Sequence, residues 1–358
     1  MHEPAAPEVV RSSRGQGPGS SAQRSSNLSK ACATPRDEQS LWDRTPSRRV
    51  LIVGGTGFIG AHLVRRCIAD GHEVHVLARP TSDIGRLADL AGDITLHRAL
   101  PADLPAMTAA LQTAEPEWIF SLVGNTAQRH GRGFGQVSSC LEGVADVMNL
   151  IEAISRCREI PRVFVRTGSI AEYGAASVPY REDQRERPVT VYGAALAACT
   201  HFTSMIAPSL PFPIVTARLS LIYGPGQYGD FLVPSLVEAA LFDRQLPLER
   251  PNDSRDILHV SDAVEALVRL AIIPPATGAI INVGSGRAVK VRELAEHVAT
   301  IVGIAPAEQC SAETAAIEHR LDINRLVEGW GWQPRVSLDE GLCATTASMR
   351  NKQLTEAA

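Results

Sequence analysis

The chain has 358 residues, 44% hydrophobic and 21% charged, enough for a substantial core in one large domain or in a domain with a smaller lobe. Its 35 Lys+Arg against 39 Asp+Glu give a formal charge of −4, so no basic excess points to nucleic acid and a small-molecule substrate is the simpler expectation. Seven widely spaced cysteines without a CxxC pair argue against a zinc site or disulfide framework; no apolar run of about 18 residues suits a membrane span and no apolar signal core opens the chain, so a cytoplasmic protein is expected.

Residues 1–47 are rich in Ser, Arg, Gly, Pro and Gln and show neither helical nor strand periodicity. Such a segment buries too little apolar surface to offset ordering its backbone, so a disordered tail is expected. Val50-Leu51-Ile52-Val53 is an apolar run of the kind found in a buried parallel strand. Gly54–Gly60 turn the chain, Ala61–Asp70 read as a helix stopped by Gly71, and Val74–Leu77 form the next strand. The alternation continues with a strand at Ile94–Leu96, a helix at Leu104–Gln112, a strand at Trp118–Leu122 and a long helix over Ser139–Arg158. A strand at Arg162–Arg166, a helix at Thr190–Ala207 and a strand at Ile214–Leu219 complete it. Strands separated by helices predict a parallel sheet covered on both faces. Past Tyr223 the rhythm breaks at Gly224-Pro225-Gly226 and in a Pro/Asp/Arg-rich stretch, 247–256. A helix near Val260–Ala271, a strand at Ala279–Val283 and a helix at Val291–Val302 follow. The expected organisation is a main dinucleotide-binding domain over 48–223, a smaller lobe mostly over 224–345 and interleaved with it, and a C-terminal tail at 346–358.

The glycines carry the first chemistry. In Gly54-Gly55-Thr56-Gly57-Phe58-Ile59-Gly60, Gly54 permits a sharp turn after the strand, Gly57 lets backbone approach a pyrophosphate, and Gly60 lets the helix sit close to the sheet. The helix N-terminus then offers free N–H groups to anionic oxygens. A glycine turn by itself can be purely structural; one that follows a strand and opens a helix reads as a nucleotide site, with Leu122 of the fourth strand on the cofactor side. Where an NAD site usually places an acid after the second strand, this chain has Arg79, whose planar donors suit a 2′-phosphate. NADP(H) is therefore the favoured cofactor and NAD(H) the alternative, a solvent-facing arginine being the plain reading of Arg79.

Further motifs follow in order: Ser169 before Tyr173-Gly174, Tyr192-Gly193, Arg218 before Tyr223-Gly224-Pro225-Gly226, Arg255-Asp256 before Val260-Ser261-Asp262, Asn282-Val283-Gly284-Ser285-Gly286, and Asp322-Ile323-Asn324 through Gly331-Trp332-Gln333-Pro334. With the glycine loop they make residues 49–345 resemble the extended short-chain dehydrogenase/reductase family, in its nucleotide-sugar epimerase, dehydratase and reductase branch. The resemblance implies a Rossmann-type doubly wound parallel sheet with a smaller C-terminal substrate-binding lobe. It also implies a nucleotide-diphosphate sugar as substrate, no metal, and a homodimer through two long helices as one option. Tyr192 matches the catalytic tyrosine and Ser169 the hydroxyl that hydrogen-bonds the same substrate oxygen; a phenol can pass a proton to or from that oxygen while nicotinamide exchanges hydride. The plain reading of Tyr192 is a capping or packing residue.

Two departures matter. The family pattern Tyr-x-x-x-Lys ends here in Leu196, and leucine neither lowers a tyrosine pKa nor holds the nicotinamide ribose as a lysine at i+4 would. The acidic pair of sugar 4,6-dehydratases matches Ile170 and Ala171, with Glu172 displaced by one residue, which argues against dehydration. On the substrate side, Arg255 matches an arginine that reaches phosphate in the resembling enzymes, an ion pair with Asp256 or Asp262 being its structural alternative. Arg218 is a second phosphate candidate, and Tyr223 shapes the pocket. The polar segment Gly124–Gly135, with Arg129, His130 and Arg132, is either a lid near the cofactor or a surface loop. The leading expectation is NADP(H)-dependent reduction of a nucleotide-linked ketosugar at C4. The alternatives are an NAD(P)-dependent nucleotide-sugar 4-epimerase and, because of Leu196, a catalytically silent NADP-binding regulator.

Overall fold

Apolar, β-branched runs become the strands of a central sheet in the computed structural model, which describes residues 46–123, 134–227, 229, 231–242, 248, 250–305 and 315–356. In chain order these are β1 (Arg49–Val53), α1 (Phe58–Ala69), β2 (Glu73–Ala78), β3 (Ile94–Arg98), α2 (Leu104–Ala114), β4 (Trp118–Ser121) and α3 (Phe134–Ser155). Then come β5 (Val163–Ser169), a short 3-10 turn (Ile170–Glu172), α4 (Val191–Ile206), β6 (Ile214–Leu219) and β7 (Leu221–Tyr223). The later chain gives α5 (Leu232–Leu241), β8 (Ser254–His259), α6 (Val260–Ile272), β9 (Ala279–Val283), β10 (Ala288–Lys290), α7 (Val291–Val302), β11 (Glu318–His319), α8 (Asn324–Trp330) and α9 (Leu338–Glu356).

The sheet runs β3-β2-β1-β4-β5-β6-β9 with every pairing parallel. This is the doubly wound, Rossmann-type order, whose direction reverses beside β1. Val50, Leu51 and Ile52 have no exposed surface, so both faces of β1 are covered. On one face Leu51, Ile119 and Phe164 pack with Leu111 of α2 and Leu150 and Ile154 of α3. Reversal of direction leaves a crevice at the carboxyl ends of β1 and β4, which is where ligands bind such sheets.

The late chain is interleaved as expected. β9 closes the main sheet against β6, and α6 packs on β5 and β6. The lobe has a second, small sheet centred on β8, antiparallel to β10 and parallel to β7 and β11. β8 starts inside the Pro/Asp/Arg-rich stretch that reads as an interruption in the sequence. Its buried Asp256 accepts hydrogen bonds from the backbone of Ser285, Gly286 and Leu321 and from the Ser285 hydroxyl, so a polar residue here ties three segments together. The expected tail at 346–358 needs correction: α9 continues to Glu356, with Thr346 and Met349 buried against the lobe. Of the expected disordered tail only 46 and 47 are described, and the candidate lid residues Arg129, His130 and Arg132 also lie outside the described residues. Among the described residues no helix is long and apolar enough to cross a membrane.

Candidate functional site

The glycine loop stands at the carboxyl end of β1. Gly54 has φ +83°, and a Cβ there would lie 3.3 Å from the Leu122 backbone, so the turn passes tight against the end of β4. A Cβ on Gly60 would sit 2.2 Å from the Gly54 carbonyl oxygen and 2.7 Å from the Gly55 Cα, both backbone atoms that cannot swing aside. Gly57 is the N-cap of α1 and supplies no side-chain acceptor, which leaves the first-turn amides free for an anion. Thr56, Phe58 and Ile59 are partly exposed around the exposed Gly57. The loop therefore fits the pyrophosphate of a dinucleotide through backbone alone. His62, one turn into α1, contacts the Pro225 carbonyl at 2.8 Å, and burial lowers its pKa below the ordinary histidine value.

Arg79 follows β2 and is exposed. Its charge acts on Asp146 of α3, whose carboxyl is raised by burial and pulled the other way by Arg79.

Two strands along the sheet from β1, Ser169 ends β5 and caps the following 3-10 turn: its hydroxyl accepts from Ala171 N at 3.2 Å. Thr190, not Tyr192, caps α4, accepting from Gly193 N at 3.0 Å. Tyr192 is the second residue of that helix and half-buried. The two segments abut, because a Cβ on Gly193 would lie 2.3 Å from the Ala171 carbonyl oxygen. Glycine after the tyrosine is what lets the helix start press on the turn beginning at Ser169.

Beneath this contact lies a buried ionic network that sequence reasoning missed. Glu172, wholly buried, accepts from Ser169 N at 3.0 Å, from Thr200 Oγ1 at 2.8 Å and from Arg218 Nε at 2.8 Å. Arg166 donates to Thr200 Oγ1, Thr216 Oγ1 and the Leu196 carbonyl. Arg218 also pairs with Glu186 and lies over the Tyr173 ring at 4.5 Å. Burial pushes the Tyr173 phenol up to about 12, and its hydroxyl donates to Asn282 Oδ1 at 2.7 Å. The only sequence signal is a pair of arginines inside strands that are otherwise mostly apolar.

The substrate-side candidates are accordingly redistributed. Arg218 has no exposed surface and is held by two carboxylates, so its guanidinium faces protein where a phosphate was expected. Tyr223 packs inside the lobe with Val237, Leu294 and Leu342. Arg255 is half-buried and pairs with Asp253 at 2.9 Å, a different acid from the Asp256 and Asp262 considered from sequence. Asp262 instead accepts from the backbone N–H groups of Arg335 and Val336.

Residues 50–284 match the family model described as the NAD dependent epimerase/dehydratase family. The chain is 30% identical to a UDP-glucose 4-epimerase of Mycolicibacterium smegmatis over 85% of its own length and 99% of the relative's. Among solved structures it resembles MoeE5 in complex with UDP-glucose and NAD, with a TM-score of 0.74, 25% identity, and coverage of 85% of this chain and 99% of that one. It also resembles the UDP-glucose 4-epimerase of Thermus thermophilus in complex with NAD, with a TM-score of 0.72, 26% identity, and coverage of 84% and 98%. The preference for NADP(H) drawn from Arg79 is overturned by these NAD complexes. Arg79 is exposed, which fits its plain reading as a solvent-facing arginine.

Proposed function

This chain belongs to the NAD dependent epimerase/dehydratase family, and from that premise we propose that it inverts C4 of a uridine-diphosphate sugar using NAD. The reductase reading that leads from sequence gives way to its epimerase alternative, which the names of the relatives favour. One observation carries the reading: the turn after β5 brings Ser169 against the helix start bearing Tyr192 while offering no acid pair. Ile170 is buried, Ala171 has no acid, and Glu172 is committed to Arg218 and Thr200, so the proton transfers of a dehydratase lack their carboxylates. When bound, NAD takes a hydride from a carbinol carbon and can return it to either face of the resulting ketone.

The chain's own groups do the rest. The first-turn amides of Phe58 to Gly60 would hold the pyrophosphate, and Leu122 closes the loop from the β4 side. Tyr192, as its phenolate, takes the proton from the sugar 4-hydroxyl as the carbonyl forms, and returns it to that oxygen when hydride comes back to the other face. The Ser169 hydroxyl, itself accepting from Ala171 N, donates to the same sugar oxygen and holds it. Leu196 contributes no charge to this arrangement, so the phenol works without the lysine at i+4.

Purified protein given NAD and either UDP-glucose or UDP-galactose should interconvert them, as read by proton NMR of the anomeric signals. UDP-glucuronate is the second substrate to assay. NAD binding with no turnover of any of the three sugars would sink the reading and return the chain to the silent regulator.

A further inference from the structure

Glu172 bonds Ser169 and the helix that carries Tyr192, and has no exposed surface. One carboxylate oxygen accepts from the backbone of Ser169, and the other accepts from Thr200, two turns along α4 from Tyr192. Thr200 donates to Glu172 and accepts from Arg166 Nη1 at 3.0 Å, which uses its single proton and a lone pair in opposite directions. The second guanidinium nitrogen of Arg166 donates to the Leu196 carbonyl at 3.3 Å. The backbone at the position without its lysine is therefore anchored from below by a buried cation.

The network alternates in sign from Arg166 through Glu172 and Arg218 to Glu186, so each charge has a partner of opposite sign in reach or one hydroxyl away. The chain makes room for it: a Cβ on Gly168 would fall 2.3 Å from Glu172 Oε1. The Glu172–Ser169 N bond is half of the capping box on the 3-10 turn, so the same carboxylate that pairs with Arg218 also fixes the backbone of Ser169. Buried ion pairs are in any case weak contributors to stability against apolar replacements, and here Arg218 Nη1 has no hydrogen-bond partner among the described residues.

We propose that Glu172 is a positioning residue: through Ser169 N on one side and Thr200 on the other, it fixes the Ser169 hydroxyl against the helix turn that carries Tyr192. This rests on the proposed epimerase reading for its catalytic consequence, not for the geometry. Losing the brace lets the two hydroxyls drift, and a misplacement of about 1 Å at a reacting centre costs on the order of 100-fold in rate.

The experiment is a double-mutant cycle of Glu172→Gln and Ser169→Ala on the full chain with NAD. E172Q should lower kcat about tenfold or more, leaving KM for the sugar nucleotide and NAD affinity within about twofold. In the S169A background E172Q should cost little, because the residue through which it acts is gone. Hydrogen exchange at the Ser169 amide, read without any substrate, should speed up about tenfold or more in E172Q. Losses that multiply across the cycle, or an unchanged Ser169 amide, overturn the proposal. Should E172Q fail to fold, Thr200→Val and Thr200→Ser give the same answer. T200S keeps the hydroxyl and should retain activity; T200V cuts the link from Glu172 to α4 and should lose it, and equal behaviour of the two rejects the brace. If the wild-type protein turns over no UDP-sugar, the epimerase reading fails while the amide exchange still decides whether Glu172 holds Ser169.

Discussion

The glycine loop and the contact between the Ser169 turn and the start of α4 lie on the same edge of one sheet, yet they are built by different means. The loop offers backbone: three glycines, a free helix start and no side chain that must be kept. The contact works through side chains, and beneath it lie Arg166, Glu172 and Arg218, buried charges that must satisfy one another. A backbone site tolerates wide change in its surroundings provided no Cβ intrudes. A side-chain site shows every substitution, which is why Leu196 stands out in one region and nothing comparable does in the other.

The sharpest way to break the comparison is to remove one hydroxyl from the second region. Tyr192→Phe should cut kcat about 100- to 10,000-fold and leave NAD affinity nearly unchanged, measured by turnover and by titration calorimetry. A phenylalanine variant that keeps its rate would remove Tyr192 from the chemistry. The reciprocal test adds one methyl to the first region. Gly60→Ala places a carbon 2.2 Å from the Gly54 carbonyl, so NAD affinity should fall about 10- to 100-fold as the loop opens. Circular dichroism should show the sheet intact; binding equal to wild type would mean the loop does not carry the pyrophosphate.

Leu196→Lys is the smaller, constructive test. A cation one turn from Tyr192 should lower its pKa, and a shift of about one unit raises the phenolate fraction about tenfold below that pKa. The pH–rate profile should move acidward and kcat rise by a similar factor. A profile that stays put would show that Arg166 and the network already set the working state, or that the departure at 196 is neutral.

The two regions also differ in how legible they are. The shape of the loop can be read from its glycines because their requirement is local: φ +83° at Gly54 and the crowding at Gly60 arise within a few adjacent residues. The sequence places β9 and α7 to the residue for the same reason, since apolar periodicity is local too. Arg218, Tyr223 and Arg255 read as substrate residues because arginine and tyrosine in such motifs suit phosphate and pocket walls. Where their side chains end depends on contacts with Glu172 and Gly341, brought from 46 and 118 residues away by tertiary packing, and, for Arg255, on Asp253 two residues earlier. The cofactor preference fails because an exposed arginine after the second strand does not by itself mark a 2′-phosphate site. No sequence spacing carries that information.

The smallest expected effect concerns the lobe, where Asp253 holds Arg250 Nε at 2.6 Å and Arg255 Nη2 at 2.9 Å and accepts from Ile317 N. Burial alone would raise this carboxyl, but the bonds from Arg250, Ile317 N and Arg255 win and hold it at about 2, below its ordinary 3.8. A depressed carboxylate pKa stabilises the fold above the unfolded value and loses that contribution as pH falls through the folded one. The stabilisation, at most about 2 kcal/mol, is therefore complete near neutrality and disappears between roughly pH 4 and pH 2. Asp253→Asn should lower the urea midpoint at pH 7 and flatten the decline across that acid window. NAD affinity should not move, because the loop at Gly54 shares no group with this cluster. A change in sugar-nucleotide KM in the same variant would show that Asp253 aims Arg255 at a phosphate as well as anchoring it. An unchanged KM would leave Arg255 as a strut of the β8 edge.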